Sequence, residues 1–589
     1  MITPPASTPE IRQQTRWVAA AGSAIAWLIA LGPLEARELV VPFGPLHLTS
    51  TELLAAFAAA VGLIAVAVVY RRRLATWTRV RARLGTPFAF ALALWALLHL
   101  ASAAWAGEGA LFSLKFGLRV AGGVALAGVT LALGAERVFI RRLSIGVAGG
   151  VAFVTAIAAF ERLGGQAAEP LLTWFRDEPT WMLGEQRLSA VFYHANTLAA
   201  WLEIVVPWLV AAVIAPRSQR LPRAALLAAS LVMLSLTYSR AGLAAGLVGC
   251  GLVALGASFG GHRSLKFVAI IAGAVLALSY LANPDMRGRL GLEDRGYQAS
   301  YRVDDVCIGQ PGERVEVEVC VRNDGEWPLS NRQAPGDLAH VAWPAEGRPA
   351  AAEFHYQPLP AIDPGESVTL TVAVDLPDQP GVVDIVVDIR RKNVIWLSAV
   401  GVEPGRIQCI ALAPGETAEQ FTRGDGDGMP SEIHLQGRPL ELERKHYWQA
   451  ALRLWGERPF FGQGADQFRH RYGRFVPERG WDDRARSHSI IMETAANLGF
   501  AGLLALGLLA GSIAVALWRP FRLGAGGPVA IGVAAGVLSF LVHHMVDYFL
   551  GYTKILVVFW PLLGAAVSLA LSPRAVLTPS DKPETDQEP

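Results

Sequence analysis

His488 stands in the run Arg486-Ser487-His488-Ser489, where a long polar stretch gives way to an apolar one. A neutral imidazole with a pKa near ~6.5 can take a proton from an attacking hydroxyl at neutral pH. Arg187, Arg240 and Arg444 are of the type that grips phosphate, because the planar guanidinium makes paired, charge-assisted hydrogen bonds. Arg240 lies at a junction between two apolar runs. An arginine at mid-bilayer costs about 2.5–3.5 kcal/mol, and less at the interface. That placement fits either a functional cation or a snorkelling one at a helix end. Arg187 and Arg444 equally fit surface charges.

A second set could bind substrate or orient these groups: His194, Asn196, Ser239, Glu493 and Asp547. His194 and Asn196 open an apolar run, where they could hydrogen-bond a ligand or cap a helix. Glu493 is five positions beyond His488, off the i,i+4 face. His543, His544 and Asp547 fall toward one end of an apolar segment, as a site or as a satisfied network between helices. Metal binding by the two adjacent histidines is not expected. Neighbours on a helix diverge by about 100°, and no carboxylate cluster completes a site.

The elements that must position these residues are membrane spans. The 589-residue chain is 52% hydrophobic and 17% charged, against roughly a quarter charged in soluble proteins. Apolar runs long enough to cross a hydrocarbon core of about 30 Å exclude a soluble globular protein. About twelve spans are expected, near 18–34, 51–70, 86–106, 112–134, 143–161, 196–215, 224–239, 241–259, 267–283, 490–515, 526–549 and 554–573. Basic loops set the orientation: Arg71, Arg72, Arg73, Arg79, Arg81 and Arg83, then Arg137, Arg141 and Arg142, Arg217, Arg220 and Arg223, His262, Arg263 and Lys266, and Arg519 and Arg522. They fall on one side when the spans alternate. Both termini are then cytoplasmic and the polar stretch lies outside, in the periplasm of a bacterial inner membrane.

The expected division is therefore 1–283 with nine spans, a periplasmic loop over 284–489, three further spans over 490–573, and a disordered cytoplasmic tail over 574–589. Within the loop, residues around 300–425 alternate at period two in "ERVEVEVCVRNDGEW", "ESVTLTVAVDLP" and "GVVDIVVDIRR", with Asn-Asp-Gly and Asp-Pro-Gly turns. That pattern predicts an inserted immunoglobulin-like β-sandwich. It is a spacer or packing module, or a surface for glycan or a partner. Cys307 and Cys320 could be cross-strand neighbours, and an oxidising compartment would permit a disulfide between them. Residues 440–489 read as helical, with one helix over about Glu443–Trp455 and another from near Gly464 to Tyr472. Trp448, Trp455, Phe460, Phe461 and Trp481 suit an interfacial aromatic belt.

Four constellations line up on the outer side: "GEQRLSAVFYHANTLAAWL", "LTYSRAGLAAGL", "RKHYWQAALRLWGERPFFGQGADQF" and "SHSIIMETAANLGFAGLL". In this order and topology they resemble the O-antigen ligase and O-antigen polymerase family of bacterial membrane proteins, over roughly 185–260 and 440–505. Ala195 stands where the family usually has proline, and Ser489 where asparagine often follows the histidine. The resemblance implies a polytopic α-helical membrane protein of the GT-C glycosyltransferase class that inverts the anomeric carbon and needs neither metal nor cofactor. It implies an undecaprenyl-diphosphate-linked glycan as donor and a glycolipid or glycan acceptor at the lipid bilayer, with no role for nucleic acid. The acceptor is lipid A-core for a ligase, another lipid-linked repeat for a polymerase, and a protein for some relatives. His488 would be the general base, with Arg240, Arg444 and Arg187 on the donor diphosphate.

A precursor transporter would also explain many spans and buried charges. It predicts internal repeats and polar sites at the bilayer midplane, whereas the marked residues gather at the outer surface. A glycan-binding receptor leaves Arg240 and His488 without a role.

Overall fold

Apolar runs this long can satisfy their backbone in a bilayer only by closing hydrogen bonds within the segment, so they form helices. The computed structural model describes residues 9–37, 39–43, 46–71, 77–176, 181–182, 185–214, 219–282, 296–303, 307–330, 336–343, 354–391, 395–400, 402–417, 444–475, 485–523 and 527–572. The tail, Arg72, Arg73, Arg217 and Trp481 lie outside the described residues.

The first half contains α1 (Pro9–Leu31), α2 (Ser50–Arg71), α3 (Trp77–Leu84), α4 (Pro87–Ala101), α5 (Ala110–Leu133) and α6 (Arg137–Gly164). Then come α7 (Glu169–Leu172), α8 (Ala195–Val213), α9 (Arg220–Leu236), α10 (Arg240–Phe259) and α11 (Arg263–Leu281). The polar stretch contributes α12 (Arg444–Glu457) and α13 (Phe468–Arg471). The chain closes with α14 (Ile490–Leu523), α15 (Gly527–His544) and α16 (Thr553–Ala570).

Among the described residues, eleven helices are long and apolar enough to cross a membrane. The expected span at 224–239 is a helix, but α9 has only 17 residues and is not one of the eleven. It stops at Leu236 because Tyr238 takes a left-handed backbone, φ +50°, and Ser239 then caps α10 by accepting from Gly242 N at 3.1 Å.

Burial separates two kinds of helix. Every residue of the α16 window is buried, whereas α2 and α11 keep exposed Leu53, Phe57, Ile64, Phe267, Ile271 and Leu278. In a bilayer those side chains meet lipid, which is as apolar as they are. Small residues set the close approaches: at Gly536 of α15 a Cβ would run into the backbone of Ile204 in α8.

The strands interrupt this bundle. Two hairpins, β1 (Val40–Phe43) with β2 (Leu46–Thr49) and β3 (Trp181–Met182) with β4 (Glu185–Gln186), sit between helices. The insert runs β5 (Ala299–Val303), β6 (Cys307–Gly309), β7 (Arg314–Asn323), β8 (Gly336–Trp343), β9 (His355–Leu359), β10 (Ser367–Asp375), β11 (Gly381–Arg391), β12 (Ile395–Trp396) and β13 (Gly405–Ala411). One sheet has the order β10-β7-β5; the other runs β6-β13-β11-β8-β9, with β12 on β11. Val317, Val319, Val321, Val372, Ile385 and Val387 are buried, as the period-two pattern requires.

The disulfide differs from the expectation. Cys307 pairs with Cys409, and Cys320 is a free thiol. Cys320 lies in β7 opposite Thr369 and Arg302, in the other sheet. Cys307 lies in β6, which joins β13 in parallel with Cys409 directly across from it. The Cα atoms are 4.5 Å apart, within bridging reach. A parallel neighbour 102 residues away leaves no local pattern to read.

Candidate functional site

The turn before α14 is wound by its own helix. Glu493 N donates to Ser489 O at 2.9 Å, its Oε2 accepts from Ser487 N at 2.8 Å, and Ser487 Oγ donates to Ser489 O at 3.0 Å. Ser487, Ser489 and Glu493 are buried. Between them His488 is forced to φ +54° and keeps 35% of its side chain exposed. Among the described residues, four non-glycine residues have positive φ: Ala190, Tyr238, Asp466 and His488. Such strain persists only where surroundings over-determine it, commonly at functional sites.

The imidazole is oriented by a carboxylate 59 positions away. Asp547 lies in the α15–α16 loop and follows a turn in which its N donates to His543 O at 3.0 Å. Its Oδ1 meets His488 Nδ1 at 3.0 Å and also accepts from Tyr548 N at 2.9 Å. Burial alone would raise this carboxyl, but the His488 hydrogen bond and the neighbouring histidines hold it well below the usual carboxylate range. An ionised carboxylate on Nδ1 selects the tautomer with hydrogen there and leaves the basic lone pair on Nε2. Tyr447 of α12 packs edge-on against the same imidazole, ring centres 5.2 Å apart, and Arg444 reaches within 4.0 Å of Asp547 Oδ2.

The other expected residues form a second group. Arg187 donates to Thr237 O at 2.8 Å and to Asn196 Oδ1 at 2.7 Å, so it ties the start of α8 to the turn that precedes Arg240. Burial lowers the Arg187 guanidinium to about 10, which leaves it cationic at neutral pH. Arg240 opens α10 with its side chain exposed. His194 bonds Thr197 Oγ1 at 3.0 Å through Nδ1 and the Tyr552 hydroxyl at 3.2 Å through Nε2. Tyr552 belongs to the loop that carries Asp547. Asn196 holds an arginine rather than capping α8. Ser239 is a helix cap, and Glu493 grips the backbone beside His488 and Arg486 without a bond to the imidazole.

Asp466, Arg469, Glu52, Arg119 and Glu203 had no part in the sequence reading, which had named their neighbours Arg486 and His543. Arg486 is ion-paired to Asp466 and lies 3.5 Å from Glu493; Asp466 also holds Arg469 at 2.9 Å. Burial would raise Asp466, but Arg486 and Arg469 hold it below its ordinary range, and both carboxylates hold Arg486 above its own. Glu52 of α2 pairs with Arg119 of α5 at 2.7 Å. Glu203 of α8 meets His543 of α15 at 2.7 Å with both side chains fully buried. For Glu52, Arg119 and Glu203 the available signal was an ionisable residue inside an apolar run.

The loop is fastened to the bundle through its backbone. Ser113 Oγ donates to Ala465 O at 2.6 Å, Ala465 N to Ser102 Oγ at 3.0 Å, and Gln467 Nε2 to Gly109 O at 2.9 Å. Gln463 N and Gly464 N donate to Ala496 O and Asn497 O. At Gly499, φ +62°, α14 breaks. Phe500 N and Ala501 N then donate to Pro459 O and Phe460 O of the loop, and any side chain at Gly499 would strike that backbone.

Residues 436–507 match the family described as O-antigen ligase. The match covers α12, the fastened loop, His488 and the start of α14. No curated protein matches the chain. Among solved structures, Pseudomonas fluorescens alkylpurine DNA glycosylase AlkC bound to DNA containing an abasic site analog aligns at 13% identity over 68% of this chain and 98% of that chain, with a TM-score of 0.16. A likeness at that score carries no argument about fold.

Proposed function

With an O-antigen ligase domain at residues 436–507 of a multi-pass membrane protein, we propose that the chain transfers a glycan from undecaprenyl diphosphate to the hydroxyl of an acceptor. The reading places the reaction at the periplasmic face of a bacterial inner membrane, with both termini cytoplasmic. The observation that carries it is the His488–Asp547 contact at 3.0 Å. Asp547 fixes the imidazole, and Nε2 takes the acceptor's proton as the hydroxyl attacks the anomeric carbon and the lipid diphosphate leaves. An attack of this kind inverts that carbon. Arg444 at the same carboxylate, and Arg240 with Arg187 behind it, would hold the departing diphosphate, because guanidinium groups meet phosphate with paired bonds. No metal is assigned a step.

His194 and Asn196 act in this reading by fixing Tyr552 and Arg187, and Ser239 by starting α10. Residues 1–283 and 490–573 form the bundle, 440–489 its catalytic loop, and 300–425 an immunoglobulin-like sandwich outside the reacting centre. We favour a ligase with a phosphorylated glycolipid acceptor. A polymerase would use a second lipid-linked repeat, and a protein oligosaccharyltransferase a side-chain hydroxyl.

The test is the product formed by the reconstituted full chain from a lipid-linked glycan, with and without lipid A-core. Glycan joined to lipid A-core supports the ligase. Lengthened lipid-linked glycan without that acceptor identifies a polymerase. Movement of intact donor across the bilayer without a new glycosidic bond would refute a transferase.

A further inference from the structure

Two cavities on the α2–α5–α16 flank share the same two cations. One is an apolar furrow of about 200 Å³, with Leu53, Ala56, Gly122, Leu126 and Leu556 in its walls. A Cβ at Gly122 would meet nothing within 4 Å, so the furrow is open along α5. The other is a chamber of about 180 Å³ that touches Leu111, Phe112 and Phe116 and reaches the charged Asp466, Arg469 and Arg486. Lys115 and Arg119 line both.

The chamber carries a positive excess. Lys115, Arg119, Arg469 and Arg486 face Asp466, Glu52 and Glu493, four cations against three carboxylates. Lys115 Nζ donates to the His47 carbonyl at 2.5 Å, a neutral partner. An apolar channel that ends on surplus cations matches an amphiphile with a hydrocarbon chain and an anionic head.

Its position relative to His488 follows from the α15–α16 loop. Arg119 donates to Gly551 O at 3.0 Å, whereas His194 bonds Tyr552 OH at 3.2 Å. Asp547 in the same loop holds His488, and Arg486 of the chamber is two residues before His488. The loop is thus approached by α5 and by α8. The proposed donor arginines belong to α10, to α12 and to the segment leading into α8. The α5 side has its own cations and its own apolar channel.

We propose that this furrow and chamber seat the acceptor: a phosphorylated glycolipid, with one hydrocarbon chain between α2, α5 and α16 and its phosphate at Lys115 and Arg119. This assignment rests on the transferase reading. It supplies the second lipid that such a reaction needs, presented to His488 independently of the donor.

The experiment uses the full chain in phosphatidylcholine nanodiscs with a diazirine-bearing farnesyl phosphate as photoprobe and lipid A as competitor. The phosphate probe is expected to label the Leu48–Ala56 and Leu118–Leu126 regions about tenfold more than the corresponding alcohol, the worth of one charge-assisted contact. Lys115→Ala and Gly122→Leu should each lower labelling about tenfold, Lys115→Arg should restore it, and Arg240→Ala should leave it in place. Lipid A should displace the probe. Equal labelling by the alcohol, or labelling retained in both variants, would overturn the site. Displacement by undecaprenyl diphosphate in place of lipid A would overturn its assignment to the acceptor. Labelling needs no turnover, so loss of the transferase reading and loss of this site are separate results.

Discussion

Two parts of the same long polar stretch are held in opposite ways. Among the described residues of 444–489 the α-helices are α12 and α13, and the loop's carbonyls, amides and side chains bond to α5, to α14 and to the segment between α4 and α5. Among its described residues the insert over 296–417 has nine strands, a buried valine core and a disulfide. Polar contacts within it join Asn323 to Trp327 and Ile362, Ser398 to Asp388, and Arg390 to Asp337. The first region obtains its shape from the bundle, and the second from itself. Chemistry belongs where the geometry is imposed from outside, because only there can a side chain such as His488 be kept strained and half-exposed.

That contrast predicts a ranking of effects on glycan transfer. His488→Ala should reduce transfer about 10²–10⁴-fold, the usual span for losing a general base, with unchanged circular dichroism and thermal melting. Transfer at the wild-type rate would remove His488 from the mechanism. Asp547→Asn should cost about 10²-fold or more, since an amide no longer selects the Nδ1–H tautomer. Its signature is a lowered kcat with little change in donor KM.

Asp466→Asn leaves Arg486 buried with only Glu493, a loss of about 3 kcal/mol for breaking a buried pair. Protease sensitivity over 444–475 should rise in this variant while that of the insert does not. The same carboxyl predicts an acid response. Its folded pKa lies below the ordinary value, and an unfolded aspartate titrates near ~3.9. Its contribution is therefore complete above about pH 4 and disappears as pH falls through the folded value. Proteolysis of the loop should be flat from about pH 8 to 5 and rise only below about 4, an acid step that Asp466→Asn lacks.

The smallest effect on transfer is expected from Cys409→Ser. Opening the bridge should destabilise the insert by about 2–5 kcal/mol, read as an early unfolding transition, with transfer nearly unchanged. A large loss of activity in this variant would break the distinction between the two regions.

Much of this was legible in the residues. Runs of apolar side chains gave the helices, period-two valines gave the strands, and the apolar-to-polar boundary gave His488. Asp547 was among the residues marked in the sequence, but the pairings that complete the site were hidden for a common reason. Asp547 reaches His488 across 59 positions, Asp466 reaches Arg486 across 20, and Cys409 reaches Cys307 across 102. None of these pairs shares a helix face or a hairpin, so no period relates them. Glu493 shows the converse. Its spacing from His488 argued against a direct bond, and it acts one residue earlier, on Ser487 N. Lys115, Arg119 and Glu52 stood as charges within apolar runs, but their pairing needed the packing of α2 on α5.

The break at Gly499 has a consequence for how the molecule is made. The amides it frees are taken up by carbonyls of Pro459 and Phe460, some forty residues upstream in the chain. The loop's other anchors, on Ser102, Gly109 and Ser113, were synthesised hundreds of residues earlier. During translation the loop therefore emerges onto a half-built receptor and can set only when α14 has entered the bilayer and bent. Competence would then arrive as a late event of assembly, after the insert, with its own core and bridge, has had time to fold.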